Sequence, residues 1–186
     1  MPITWTDQPA ANELLESDPL ALLIGMVLDQ QVKMEKAFGG PYELKQRLGR
    51  LDAREIAAMD PDRLDKVFRE RPALHRFPAS MARRVQAMTQ VVVNEYGGDA
   101  GAIWRDAKSG HELSARIRKL PGFGDMKSRI LVSILAKKFG VEPPGWEEYA
   151  ASWHSVADVD SPESMAHARE VKREMKAKGQ GPLSFC

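Results

Sequence analysis

Apolar side chains recur along this chain at intervals of three and four residues, and Pro and Gly repeatedly interrupt them. That is the pattern of a succession of helices. Asp7 is placed to cap a first helix running to about Glu16. Asp18–Pro19, a capping acid before proline at the first helical position, opens a second helix expected to reach about Gln31. From Leu20 to Leu28 this second helix is apolar on every face, as a central buried helix is. Short helices are predicted at Tyr42–Leu48, Ala53–Met59 and Pro61–Glu70. A longer one starts at Pro78, carries Met81, Val85, Met88 and Val92 on one stripe, and stops at Gly97–Gly98. Further helices are predicted at Glu112–Leu120 and Met126–Phe139. Ser161–Pro162 starts a last one, with Met165, Ala168, Val171 and Met175 on one face. No stretch alternates convincingly as a strand does, and there is no internal repeat. The predicted class is all-α, with disorder expected only in the tail around Gly179–Gly181.

Composition narrows the function classes. With 43% hydrophobic residues in 186, the chain can bury a core without disulfides or metals. Its single cysteine, Cys186, excludes a disulfide framework and a four-cysteine zinc or iron–sulfur site within this chain. His75, His111, His154 and His167 have no metal-ligand spacing, so no metal or cofactor is expected. The longest apolar run, Leu20–Leu28, is far short of the ~20 residues that span a bilayer. No secretion signal is apparent, and the expected location is the cytoplasm. Net charge is +1, but its distribution is uneven: His111–Gly140 holds seven basic residues and two acidic ones. Such a patch fits either a surface facing a polyanion or a solvated helix face.

The most specific motif is Leu120-Pro121-Gly122-Phe123-Gly124, between two predicted helices. Pro121 ends the first helix, and the two glycines allow a tight turn with positive φ. Backbone N–H groups at the start of the next helix then face outward at the positive end of its dipole, a ready phosphate site. Leu120 and Phe123 would anchor the turn, with Lys127 and Arg129 flanking the phosphate. An ordinary tight helix connection is the alternative; coincidence with the basic patch favours phosphate.

In these residues the chain resembles the helix-hairpin-helix DNA glycosylases of base excision repair. The hairpin matches their signature. Val27-Leu28-Asp29-Gln30-Gln31-Val32 is similar to a stretch of the alkylpurine glycosylases, except that Asp29 replaces a small residue. The similarity spans roughly Pro19 to Phe139. It implies duplex DNA as partner, and that Gln31, or Gln30 beside it, enters the base stack when a damaged base is turned out. A polar pair closing a helix C-terminus is the alternative for both. Arg83 and Arg84 fall where the family turns into its next long helix. They face either the DNA backbone or solvent.

Members that also cleave the strand carry a lysine two residues after the second hairpin glycine. Here that position is Met126, and Lys127 is rotated by about 100° on the helix. The resemblance therefore implies a monofunctional enzyme. The family also places an aspartate downstream of the hairpin, under the cationic sugar of the transition state. Here the region reads Phe139-Gly140-Val141-Glu142-Pro143-Pro144-Gly145-Trp146-Glu147-Glu148-Tyr149, without an aspartate. Alignment on Pro144 brings Glu147 closest, then Glu148, with Trp146 and Tyr149 lining a base pocket. Alternatively the two glutamates only begin a helix, and Trp146 is a core anchor.

The architecture implied is a two-lobed helical bundle with an interlobe cleft. Residues 28–137, with hairpin 120–124, would form one lobe; residues 1–27 and 138–186 would form the other. The expected function is base release by a monomeric, nucleoid-associated DNA glycosylase, with alkylated purines slightly favoured. A catalytically inactive module gripping damaged or bent duplex is the alternative, and a partner-binding scaffold with a merely structural hairpin is a third.

Overall fold

A computed structural model describes residues 2–179. Gly181 and Cys186, named above, lie outside these residues. Among the described residues there are ten α-helices, two short 3₁₀ turns and no strand, so the protein is all-α as its periodicity predicts. By internal contact the described chain falls into two compact units. One comprises Thr6–Ile103 with Leu120–Gly122, and the other residues 2–5, 104–119 and 123–179.

In the first unit, α1 (Pro9–Ser17) and α2 (Pro19–Leu28) are separated by the extended Asp18 alone. Asp18 starts α2: its Oδ1 accepts the N–H of Leu20 at 2.9 Å. Asp7 does not cap α1, whose N-cap is Gln8 without a side-chain bond. Thr6 and Asn12 close that end instead, the Thr6 N–H donating to Asn12 Oδ1 and Asn12 Nδ2 to the Thr6 carbonyl, each at 3.0 Å. Every residue of α2 from Leu20 to Leu28 is buried. The helix stops there, three residues before Gln31, because Asp29 leaves the helical region with φ −72° and ψ 70°; Gln31 itself takes a left-handed φ of 56°.

The helix α3 (Met34–Leu48) starts eight residues before the predicted Tyr42. Gly39-Gly40-Pro41 reads as a break, yet the helix runs through it. A Cβ at Gly40 would run into Leu28 Cδ1, so the glycine allows α3 to lie against α2. Next come α4 (Ala53–Ala58), capped by Asp52, and α5 (Pro61–Arg69), capped by Asp60. Both pack on α6 (Pro78–Tyr96), which buries Met81, Val85, Met88 and Val92 and ends at a left-handed Gly97.

The second unit opens with a short helix that the periodicity did not suggest, α7 (Ala102–Arg105), whose first two residues belong to the first unit. Ser109 caps α8 (Gly110–Arg118) through the Glu112 N–H. The helix α9 (Asp125–Phe139) ends at a left-handed Gly140. Two 3₁₀ turns follow, Trp146–Tyr149 and Val156–Asp158, and both pack on α9. The last helix, α10 (Pro162–Ala177), begins with a Ser161–Ser164 capping box and buries Met165 and Ala168.

Candidate nucleic-acid interface

The hairpin has the local geometry its residues dictate. Leu120 and Phe123 are buried, and between them Gly122 takes φ +89°, a region only glycine enters without strain. Gly124 is the N-cap of α9 and, having no side chain, leaves that N-terminus without a side-chain cap. It is exposed, and a Cβ built there meets nothing within 4 Å. An anion can approach the amides of α9 through this open space.

The charged residues around the hairpin divide in an unforeseen way. Lys127, expected to flank the phosphate, is buried at 7% exposure. It shares the inward face of α9 with Leu131, Ile134 and Leu135. Arg129 turns to the unit's own backbone, its Nη1 donating to the carbonyls of Glu148 at 3.0 Å and Ala150 at 3.1 Å, and its Nε to Asp125 at 3.2 Å. The exposed cations are Arg118 and Lys119, immediately before the hairpin. Arg118 lies 3.6 Å from Asp125, an acid in the first turn of α9. Met126 is half-buried.

In the first unit, the hairpin turn touches the end of α2: a Cβ at Gly122 would lie 3.7 Å from Val27 Cγ2. The loop after α2 separates the two glutamines. Gln30 is held, its Oε1 accepting Arg84 Nη1 at 2.6 Å and its carbonyl accepting His75 Nε2 at 2.8 Å. Gln31 is exposed, with its backbone in the left-handed region, uncommon for a residue with a Cβ. Two residues after His75, Phe77 is 39% exposed, and the Arg76 guanidinium sits 5.3 Å over its ring.

The glutamates lie on the 3₁₀ turn Trp146–Tyr149, which the second unit fixes at several points. The Gly110 N–H donates to the Pro144 carbonyl at 2.9 Å, and the Ala151 N–H to Ser133 Oγ at 2.9 Å. A Cβ at Gly110 would fall 2.5 Å from both the Gly145 carbonyl oxygen and the Trp146 Cα, so the turn closes directly onto the first residue of α8. With the two bonds from Arg129, its backbone is held from α8 and from α9. Glu147 and Glu148 are both exposed, and Trp146 and Tyr149 are half-buried. His111 meets the Tyr149 ring edge-on, centroids 5.8 Å apart.

Residues 24–176 match the family model described as HhH-GPD superfamily base excision DNA repair protein. The chain belongs to that superfamily. The match covers the second half of α2, the hairpin and most of α10 in one stretch, and places this HhH-GPD chain among base excision repair proteins that act on DNA. No curated protein matches the chain significantly. Among the described residues, no helix of this HhH-GPD protein is long and apolar enough to cross a membrane. No group of three or more His, Cys, Asp or Glu in them could hold a metal ion.

Sequence reasoning overlooked His75, Phe77 and the separate part played by Arg118 and Lys119. Adjacency to the hairpin could have flagged the two cations, and the aromatic residue before Pro78 could have flagged Phe77. Nothing in the sequence flags His75, because the two carbonyls at its Nε2 lie 45 and 47 residues away.

Proposed function

We propose that this HhH-GPD protein is a monofunctional DNA glycosylase, hydrolysing the N-glycosidic bond of a damaged base without cutting the strand. The observation that carries the reading is the exposed Gln31, in a left-handed backbone, on a loop whose flanking carbonyls and Gln30 neighbour are tied down, in a chain that also holds a hairpin open to phosphate. Turning a base out of the stack costs a few kcal/mol and leaves a space to fill. A planar amide held outward at a fixed point can stack there and hydrogen-bond to the orphaned base. The hairpin supplies a sequence-independent grip, with the amides of α9 and the cations of Arg118 and Lys119 taking phosphates.

Two observations support hydrolysis without a covalent intermediate. Met126 stands where a Schiff-base lysine is required, and Lys127 is buried. Glu147, on the braced turn, is the carboxylate assigned to the cationic sugar of the transition state, with Glu148 the alternative and Trp146 and Tyr149 beside the base. Alkylated purines are the favoured substrate class, on the Gln30-Gln31-Val32 stretch. The protein works as a monomer in the cytoplasm, at the nucleoid.

The test is a panel of duplexes carrying alkylated, deaminated and oxidised bases, treated with alkali to reveal abasic sites. Excision of at least one lesion is expected. The exposure of Glu147 favours a second reading, a module that binds damaged duplex without hydrolysis; tight lesion binding with no abasic product on any duplex would establish it.

A further inference from the structure

His75 is 2% exposed and has a partner on each ring nitrogen. Nε2 lies 2.8 Å from the Gln30 carbonyl oxygen and 3.1 Å from that of Leu28. Nδ1 lies 2.9 Å from the backbone nitrogen of Phe77. Carbonyl oxygens only accept, so Nε2 carries a hydrogen; a backbone amide only donates, so Nδ1 carries none. The imidazole is therefore neutral with its tautomer fixed. One edge holds the carbonyls at the end of α2, and the other fixes Phe77, the N-cap of α6. Arg84, from the second turn of α6, adds a further tie through Gln30 Oε1. Gln31 follows directly, exposed and left-handed.

We propose that His75, together with the Arg84–Gln30 bond, is a positioning clamp for base flipping. It sets where Gln31 stands relative to the start of α6, while the hairpin's grip on phosphate is independent of it. The proposal rests on the reading of Gln31 as the side chain that enters the stack. A residue with a Cβ does not keep a left-handed backbone unless its neighbours impose it. Here the neighbours on its N-terminal side are fixed by donors from elsewhere in the fold. Without those donors Gln31 relaxes to other conformations and reaches the vacated space less often, although the chain still lies on the duplex.

The experiment uses the full chain and a duplex carrying a tetrahydrofuran abasic analogue flanked by 2-aminopurine. Its fluorescence rises when a side chain enters and unstacks it, and anisotropy reports affinity on the same duplex. The variants are His75→Leu, which removes both ties; His75→Gln, whose amide N–H groups can again donate to the two carbonyls; Gln30→Leu, which removes the Arg84 tie without changing charge; and Gln31→Ala. Expected is a drop in the fluorescence rise of about tenfold for His75→Leu, within what a displacement of order 1 Å does at a positioned group. A smaller drop is expected for Gln30→Leu and recovery for His75→Gln, with affinity nearly constant throughout. A wild-type signal in a folded His75→Leu, with Gln31→Ala silent, would overturn the clamp and leave the Gln31 reading intact. A wild-type signal in Gln31→Ala would overturn the Gln31 reading and the clamp with it. Should His75→Leu not fold, Gln30→Leu decides: full signal there overturns the clamp, reduced signal at unchanged affinity supports it.

Discussion

Glu147 and Glu148 are adjacent and both exposed, so chemistry rather than burial must separate them. A carboxylate beneath an oxocarbenium-like sugar supplies negative charge where positive charge develops. Glu147→Gln keeps the shape and removes the charge, so single-turnover excision is expected to fall by about 10²–10³ with DNA affinity little changed. Glu148→Gln is the matched control and is expected to matter much less; a large loss there alone would move the acid by one position. The hairpin glycines differ in kind. Gly122 needs its φ of +89°, whereas Gly124 has φ −80° and ψ −173°, open to any residue. Gly124→Val is therefore expected to leave the melting temperature unchanged and to weaken duplex binding strongly, because the side chain occupies the phosphate's approach. Asp125→Asn is expected to tighten binding by freeing Arg118 and removing an acid from that approach. Titration of both variants against one duplex checks the pair.

Between elements, the turn Trp146–Tyr149 depends on a close approach to α8. Gly110→Ala sets a methyl 2.5 Å from backbone atoms of Gly145 and Trp146, which only a backbone shift relieves. About 1–3 kcal/mol of stability is expected to be lost, as in other overpacked sites, and excision should fall as the turn moves. Thermal melting with single-turnover assays checks this; an unshifted melting temperature would mean that the turn yields freely. Further along, Asp158 ties the second 3₁₀ turn to α9. Burial disfavours its charge, but hydrogen bonds from the Lys137 ammonium and the Ser155 N–H outweigh that and hold the carboxyl below its usual range. A lowered pKa stabilises the fold above the unfolded value, near 4, and that contribution fades as pH falls through the folded value. Asp158→Asn is thus expected to flatten the acid side of the stability–pH curve, as urea midpoints at a series of pH values would show.

The same scale shows what the sequence exposes and what it conceals. Asp18–Pro19, Asp60–Pro61 and Ser161–Pro162 each start a helix where predicted, because capping and proline geometry are local. The start of α3 stays hidden because Gly39-Gly40-Pro41 is a local stop signal that packing against Leu28 overrides. Lys127 was legible in principle. It lies four residues before Leu131 on the inward stripe, but its charge argued for the surface. The left-handed Gln31 and the His75 bonds were not legible, since both arise from long-range contacts.

At the scale of the whole molecule, the superfamily assignment and the all-helical fold limit what the chain does to DNA, and the remaining question is chemical. Binding through hairpin amides and exposed cations should tolerate any sequence and weaken with salt by about 0.9 log units per log unit for each phosphate neutralised. The decisive measurement is a time course on lesion-bearing duplexes, each sample divided between alkali treatment and borohydride reduction. The account predicts abasic sites that become strand breaks only after alkali, and no covalent protein–DNA adduct. A borohydride-trapped adduct with the wild-type protein would contradict it, because neither Met126 nor the buried Lys127 could then be the whole description of the site.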